Sequence, residues 1–237
     1  MPGNGTLFRR TLLEFIAAKG EAGDEEASAL ASVVESGGVS FPSTMVDRIT
    51  PVTEPAHREA VRSEHSVHDN APVVCEEFKQ WVIEDDFCNG RPEWEAVGAI
   101  MVRPDGDGVH VYEAMKLRLL NGSHSALAYV SYLAGHRLVC DAMEDPKVFG
   151  FVSAFLDEVL PTVPTVKGIE LDEYRSSLLE RFSNPHIKDT VLRLAEDGSQ
   201  KLQTTMRPVL LEQIAGSKRF DAMAFAIAGW IRFMTGV

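Results

Sequence analysis

The chain has 237 residues, 45% of them hydrophobic, enough for one large core or two modest ones. Its 23 basic residues face 35 acidic ones, a net charge of −12 with no local basic stripe, which argues against nucleic acid or anionic lipid as a partner. Three cysteines without metal-ligand spacing, an N-terminus without an apolar signal core, and no run of about 18 apolar residues point to a reducing compartment, so a cytoplasmic protein without metal is expected.

In chain order, residues 5–20 place Leu7, Leu12, Leu13, Phe15 and Ile16 largely along one side and end on Gly20, which predicts an amphipathic helix. A second helical stretch, 24–38, is broken by Gly37 and Gly38. Residues 39–55, rich in β-branched residues and proline, read as extended chain. The polar stretch 54–71 reads as an exposed loop. It holds His57, His65 and His68, but no carboxylate sits at convincing metal-ligand spacing from them. Residues 71–87 read as one or two strands, closed by the turn "CNGRPEW". From Tyr112 the pattern becomes helical, over 112–135, 146–160, 171–183, 186–197, 207–215 and 219–235. The predicted architecture is therefore mostly α: an α/β portion over 1–95 and a helical C-terminal portion over 96–237.

The segment "EAMKLRLLNGSH" carries Glu113, Lys116, Asn121 and His124 inside a stretch that is otherwise apolar on nearly every side. At an α-helical pitch, with Lys116 at zero, Glu113 lies near 60°, His124 near 80° and Asn121 near 140°. Such an arc is either a solvated face or a polar patch inside a core. In a water-poor setting a lysine loses hydration of its charged form and becomes a competent base. An amide beside it is a fixed dipole for an oxyanion, and an imidazole can bind a hydroxyl. Gly122, in mid-helix, suggests close approach of a ligand or another backbone.

Lys, Asn and His at i, i+5 and i+8 in "KLRLLNGSH" resemble the signature of the mannitol dehydrogenase family, the metal-independent, polyol-specific long-chain dehydrogenases. "FPSTMVDRITP" (41–51), "WVIEDDFCNGRPEW" (81–94), "LLERFSNP" (178–185) and "DGSQKL" (197–202) resemble the same family, in the same order. The resemblance implies a Rossmann-type α/β portion, a helical substrate domain and a nicotinamide cofactor, NAD with NADP left open. It implies Lys116 as catalytic base, Asn121 and the Asn4 of "PGNG" as oxyanion partners, His124 as a substrate-orienting residue and Glu113 as a group for proton release. Asp47, Arg193 and Lys201 match positions expected around the polyol.

No Gly-x-Gly-x-x-Gly occurs, so no cofactor-binding residues are assigned, and the chain resembles the middle of such an enzyme. A fragment lacking the nucleotide-binding unit, or a genuine short product, is expected. The implied reaction is mannitol–fructose interconversion. Fructuronate reduction (mannonate oxidation) and a non-catalytic interaction module are the alternatives.

Overall fold

The computed structural model describes residues 3–105 and 108–236. Its backbone forms two compact units, and they do not follow a single cut near residue 95. The first comprises residues 1–47 and 79–113, the second 48–78 and 114–237. The chain therefore crosses between units at Asp47, Phe78 and Glu113, and the segment 48–78 packs with the helices rather than with the sheet.

In the first unit, helix α1 (Asn4–Glu21) lays Leu12, Leu13 and Ile16 against Ala27, Ala31 and Val34 of α2 (Ala27–Glu35), with Phe41 closing the cluster. This is the pairing the apolar spacing of both stretches demands. Strand β1 (Thr44–Asp47) runs antiparallel to β2 (Gln80–Glu84), with Met45 opposite Val82. A third strand, β3 (Ile100–Val102), pairs with β2 in parallel. The turn after β2 is locked by Arg91, which grips Asp85 and Glu95 at 2.7–2.8 Å, while Trp94 packs between Trp81 and Phe87. Short helix α4 (His110–Met115) begins in this unit.

In the second unit, α3 (Pro55–His65) occupies the stretch read as a loop. Its start explains why. Pro55 sits at the first helical position, and Glu54 and His57 form a reciprocal capping box, with the Glu54 N–H donating to His57 Nδ1 at 3.0 Å. No α3 residue is buried, so no apolar stripe was there to read.

Beyond α4 the helix continues through a π-helical segment, Lys116–Asn121, into α5 (Gly122–Leu133). Ala126, Leu127, Ala128 and Tyr129 of α5 are inaccessible to solvent. The later helices pack around it: α6 (Val139–Glu144), α7 (Pro146–Val159), α9 (Val191–Ala195), α10 (Gly198–Thr205) and α12 (Asp221–Met234) all touch it, and α8 (Leu171–Phe182) and α11 (Arg207–Ala215) complete the unit. A helix apolar all round has to be surrounded in this way.

The helix expected over 186–197 shrinks to α9. Asp197 takes a left-handed conformation (φ 54°) that ends it and starts α10. Gly198 is required at that junction, since a Cβ there lies 2.2 Å from the Tyr129 hydroxyl and 2.9 Å from Trp230 Nε1. Gly122 is not constrained in this way, because its added Cβ meets Phe155 at an ordinary 3.5 Å. The close-approach reading of Gly122 is corrected accordingly.

These two environments predict opposite outcomes in urea denaturation. Gly198→Ala lowers stability by roughly 1–3 kcal/mol through overpacking. Gly150→Ala, with nothing within 4 Å in mid-α7, raises it by about 0.5–1 kcal/mol through helix propensity.

Candidate active site

The π-helical winding decides where the signature residues point. The Gly122 N–H bonds to the Leu117 carbonyl, five residues back. Under an i→i+5 pattern, residues five apart turn toward one another, so Lys116 and Asn121, spread widely on an α-helical wheel, come to one side. The carbonyls displaced by the wider turn are caught by the Ser123 hydroxyl, which donates to Leu119 and, at 3.1 Å, to Leu120. Arg118, on the opposite side, is pinned to both Glu212 oxygens at 2.7 Å and to the Thr162 carbonyl.

Lys116, Asn121 and His124 line a cavity of about 200 Å³ within the second unit, together with Arg48, Arg193 and Lys201. Five of the eight candidate residues are thus brought together. Asn121 has a buried side-chain oxygen without a hydrogen-bond partner among the described residues. A buried unsatisfied amide is costly, and a ligand hydroxyl in the cavity relieves that cost.

Among the described residues, the cavity lining carries four basic side chains, Arg48, Lys116, Arg193 and Lys201, and no carboxylate. Arg193 is held from behind by buried Asp189, which takes its Nε–H at 2.6 Å and keeps its charge fixed. Lys201 donates to the Leu194 carbonyl at 3.2 Å, capping the end of α9, and burial pulls its ammonium below the usual lysine range against the raising effect of Asp197. Arg193 is thus more than a solvated helix residue, and Lys201 does more than cap α9, since both line the cavity.

His124 stacks on Phe182 with ring centroids 4.5 Å apart. Loss of hydration, followed by repulsion from Arg193, Arg181, Lys201 and Lys116, pushes its pKa down to about 3. It is a neutral imidazole at any working pH, able to exchange hydrogen bonds with a hydroxyl but not to store a proton.

The other three candidates belong to the first unit. Asn4 clamps β1, donating to the Thr44 carbonyl at 2.7 Å and accepting the Thr44 N–H at 3.0 Å. Its neighbour Gly5 admits this approach, since a Cβ there would lie 2.0 Å from the Phe41 carbonyl oxygen. Glu113 is buried, receives the Gly3 N–H at 3.1 Å on both oxygens, and lies 3.0 Å from His110 Nδ1. A carboxylate at the start of α1 also suits the helix dipole. Asp47, at the end of β1, is fully buried. Arg48 is the cavity residue that sequence reasoning passed over. Its only signal was its place in "MVDRITP", beside Asp47.

The fold and the cavity define a chain with a small α/β unit and a helical unit that carries a lysine-centred polar site. The profile of the mannitol dehydrogenase Rossmann domain matches residues 1–96 and that of the mannitol dehydrogenase C-terminal domain residues 108–237. The chain belongs to the mannitol dehydrogenase family. A mannitol dehydrogenase of Saccharomyces cerevisiae is 41% identical over 239 residues, covering 100% of this chain and 45% of the relative. D-mannonate oxidoreductase of Escherichia coli is 44% identical over 202 residues, 84% of this chain and 40% of the relative. Mannitol 2-dehydrogenase of Pseudomonas fluorescens, solved as a ternary complex with NAD and D-mannitol, superposes with a TM-score of 0.83 at 42% identity, covering 97% of this chain and 44% of that one. The chain spans less than half the length of these relatives. Among the described residues, no helix is long and apolar enough to cross a membrane.

The His124 environment sets a pH dependence. Below about pH 6.5 the unfolded imidazole binds a proton that the folded one refuses, so stability falls as pH falls. The slope reaches at most about 1.4 kcal/mol per pH unit for one proton. His124→Asn flattens acid unfolding between pH 6 and 4, and the wild-type His124 ring signals in NMR stay constant from pH 8 to 5.

Proposed function

We propose that the chain carries the substrate half of a nicotinamide-dependent polyol oxidoreductase, with mannitol and fructose as its leading substrate pair. The observation that carries this reading is the convergence of Lys116, Asn121 and His124 on one cavity, with a buried Asn121 oxygen awaiting a partner. In the oxidation, Lys116 Nζ takes the proton of the substrate hydroxyl as the carbon gives up its hydride, and the C–O bond becomes a carbonyl. The Asn121 side-chain NH2 donates to the oxygen on which negative charge develops, and its buried Oδ1 accepts a hydrogen bond from a substrate hydroxyl. Neutral His124 holds the hydroxyl in line through a hydrogen bond. Asn4 and Glu113 are assigned supporting roles on the first unit, as oxyanion partner and proton-release group, and Asp47 a polyol contact. Arg193 and Lys201 are assigned the remaining hydroxyls of the polyol. The lysine returns its proton when the reaction runs toward the polyol.

When bound, a nicotinamide dinucleotide supplies the hydride acceptor. The sequence holds no Gly-x-Gly-x-x-Gly opening a helix after a strand, so no residue of this chain is assigned to its phosphates. No step is therefore assigned to residues of this chain on the cofactor side.

A second reading, oxidation of a sugar acid such as mannonate, is favoured by the lining of cations without a carboxylate. The ratio of kcat/KM for D-mannonate over D-mannitol separates the two.

The test joins the chain behind the part of the Pseudomonas enzyme that precedes the matched region and follows NADH absorbance with D-mannitol. Lys116→Ala lowers turnover by at least ~10²-fold, and Asn121→Ala by roughly 10²–10³, with NADH affinity nearly unchanged. Near-normal turnover of the Lys116 variant removes the lysine from the mechanism.

A further inference from the structure

Arg48, Ile49 and Thr50 form one wall of the cavity, yet they belong to an extended segment with no strand partner of its own. Among the described residues, Arg48 and Ile49 are held by one residue 27 to 28 positions later, Glu76. Its N–H donates to the Ile49 carbonyl at 3.1 Å, its carboxylate accepts the Ile49 N–H at 2.6 Å, and its carbonyl accepts Arg48 Nε–H at 2.9 Å. The same carboxylate grips Arg181 of α8 at 2.7 and 2.9 Å, with both side chains less than a tenth exposed. The Arg181 guanidinium lies 4.0 Å over the Phe78 ring, and the next residue, Phe182, carries the stacked ring of His124.

From this arrangement we infer that Glu76 is a positioning residue for the polyol cavity. It ties the Arg48–Thr50 wall to α8 and so sets Arg48 at a fixed distance from the His124 side. The inference rests on the reading of the cavity as the polyol site. A backbone pairing alone would need no carboxylate, and a buried charge pair alone would not need to reach the Ile49 amide. Glu76 does both with one side chain, at the cost of burying two charges. An apolar pair of similar volume would fill the space with less desolvation, but it would leave the Ile49 N–H without an acceptor.

The test uses the 237-residue chain. Glu76→Leu/Arg181→Met removes both charges together, so no uncompensated ion remains buried. Glu76→Asp keeps the charge while shortening the reach to Ile49, and stands in if the double variant does not fold. Hydrogen exchange at the Ile49 amide is expected to rise at least tenfold in either variant, with α5 amides unchanged; an unchanged Ile49 rate overturns the inference whether or not any sugar binds. Saturation-transfer NMR with D-mannitol then separates positioning from general support. Arg48→Ala and the Glu76 variant are each expected to weaken binding about tenfold, and combining them to weaken it no further, because they act through one contact. Multiplying losses, near a hundredfold, overturn the inference. Absence of mannitol binding to the wild-type chain counts against the polyol reading alone and leaves the Ile49 exchange to decide on Glu76.

Discussion

Everything at the site depends on one change of helical winding. Lys116 and Asn121 are five residues apart, a spacing that an ordinary α-helix splays and a π-helical turn gathers. The wider turn leaves carbonyls without their usual partners, and the chain supplies one next door in the Ser123 hydroxyl. Arg118 anchors the outer side to Glu212 and Thr162, and α5 follows directly into the densest part of the core. A π-helical winding held by packing on one side and ion pairing on the other fixes its inward-facing groups with little freedom. Such rigidity suits a binding cavity, because binding energy is not spent on ordering the protein.

The second constraint is electrostatic. A protein with a net charge of −12 builds a cavity lined by four cations. Two buried acidic residues outside the lining anchor it: the Asp189 carboxylate holds Arg193, and Glu76 pairs with Arg181 while its carbonyl accepts Arg48 Nε–H. The positive potential and the loss of water together keep His124 neutral. His124 is thereby restricted to hydrogen bonding. The division of labour among residues of similar chemistry comes from their surroundings.

Much of the fold was legible in local patterns. The apolar stripes of α1 and α2, the prolines bounding α7 and the full 207–215 span of α11 are written in spacing and punctuation. The misses have physical causes. Helix α3 has no buried face, so periodicity was silent there and only its capping box marks it. The 186–197 helix was overdrawn mainly at its start, where residues 189–191 pair with 137–139 and Thr190 caps α9, a long-range pairing with no local signal. The family domains at 1–96 and 108–237 follow the division read from the sequence, whereas the compact units differ from it because 48–78 is held by long-range pairing through Glu76, which no window of neighbouring residues contains.

The sequence by itself determined the chemistry available: a lysine, an amide and an imidazole at recurring offsets within an apolar helix, in five segments ordered as in the mannitol dehydrogenase family. It also determined the helical character of the segment that carries them, while leaving open whether its polar arc faced solvent or a core. Only the tertiary structure decided that Lys116 and Asn121 share a face, that His124 stays neutral, and that Arg48 joins them. Helical pitch, desolvation and the approach of distant cations are properties of packing, and they arise only when residues far apart in the chain are brought against the same cavity.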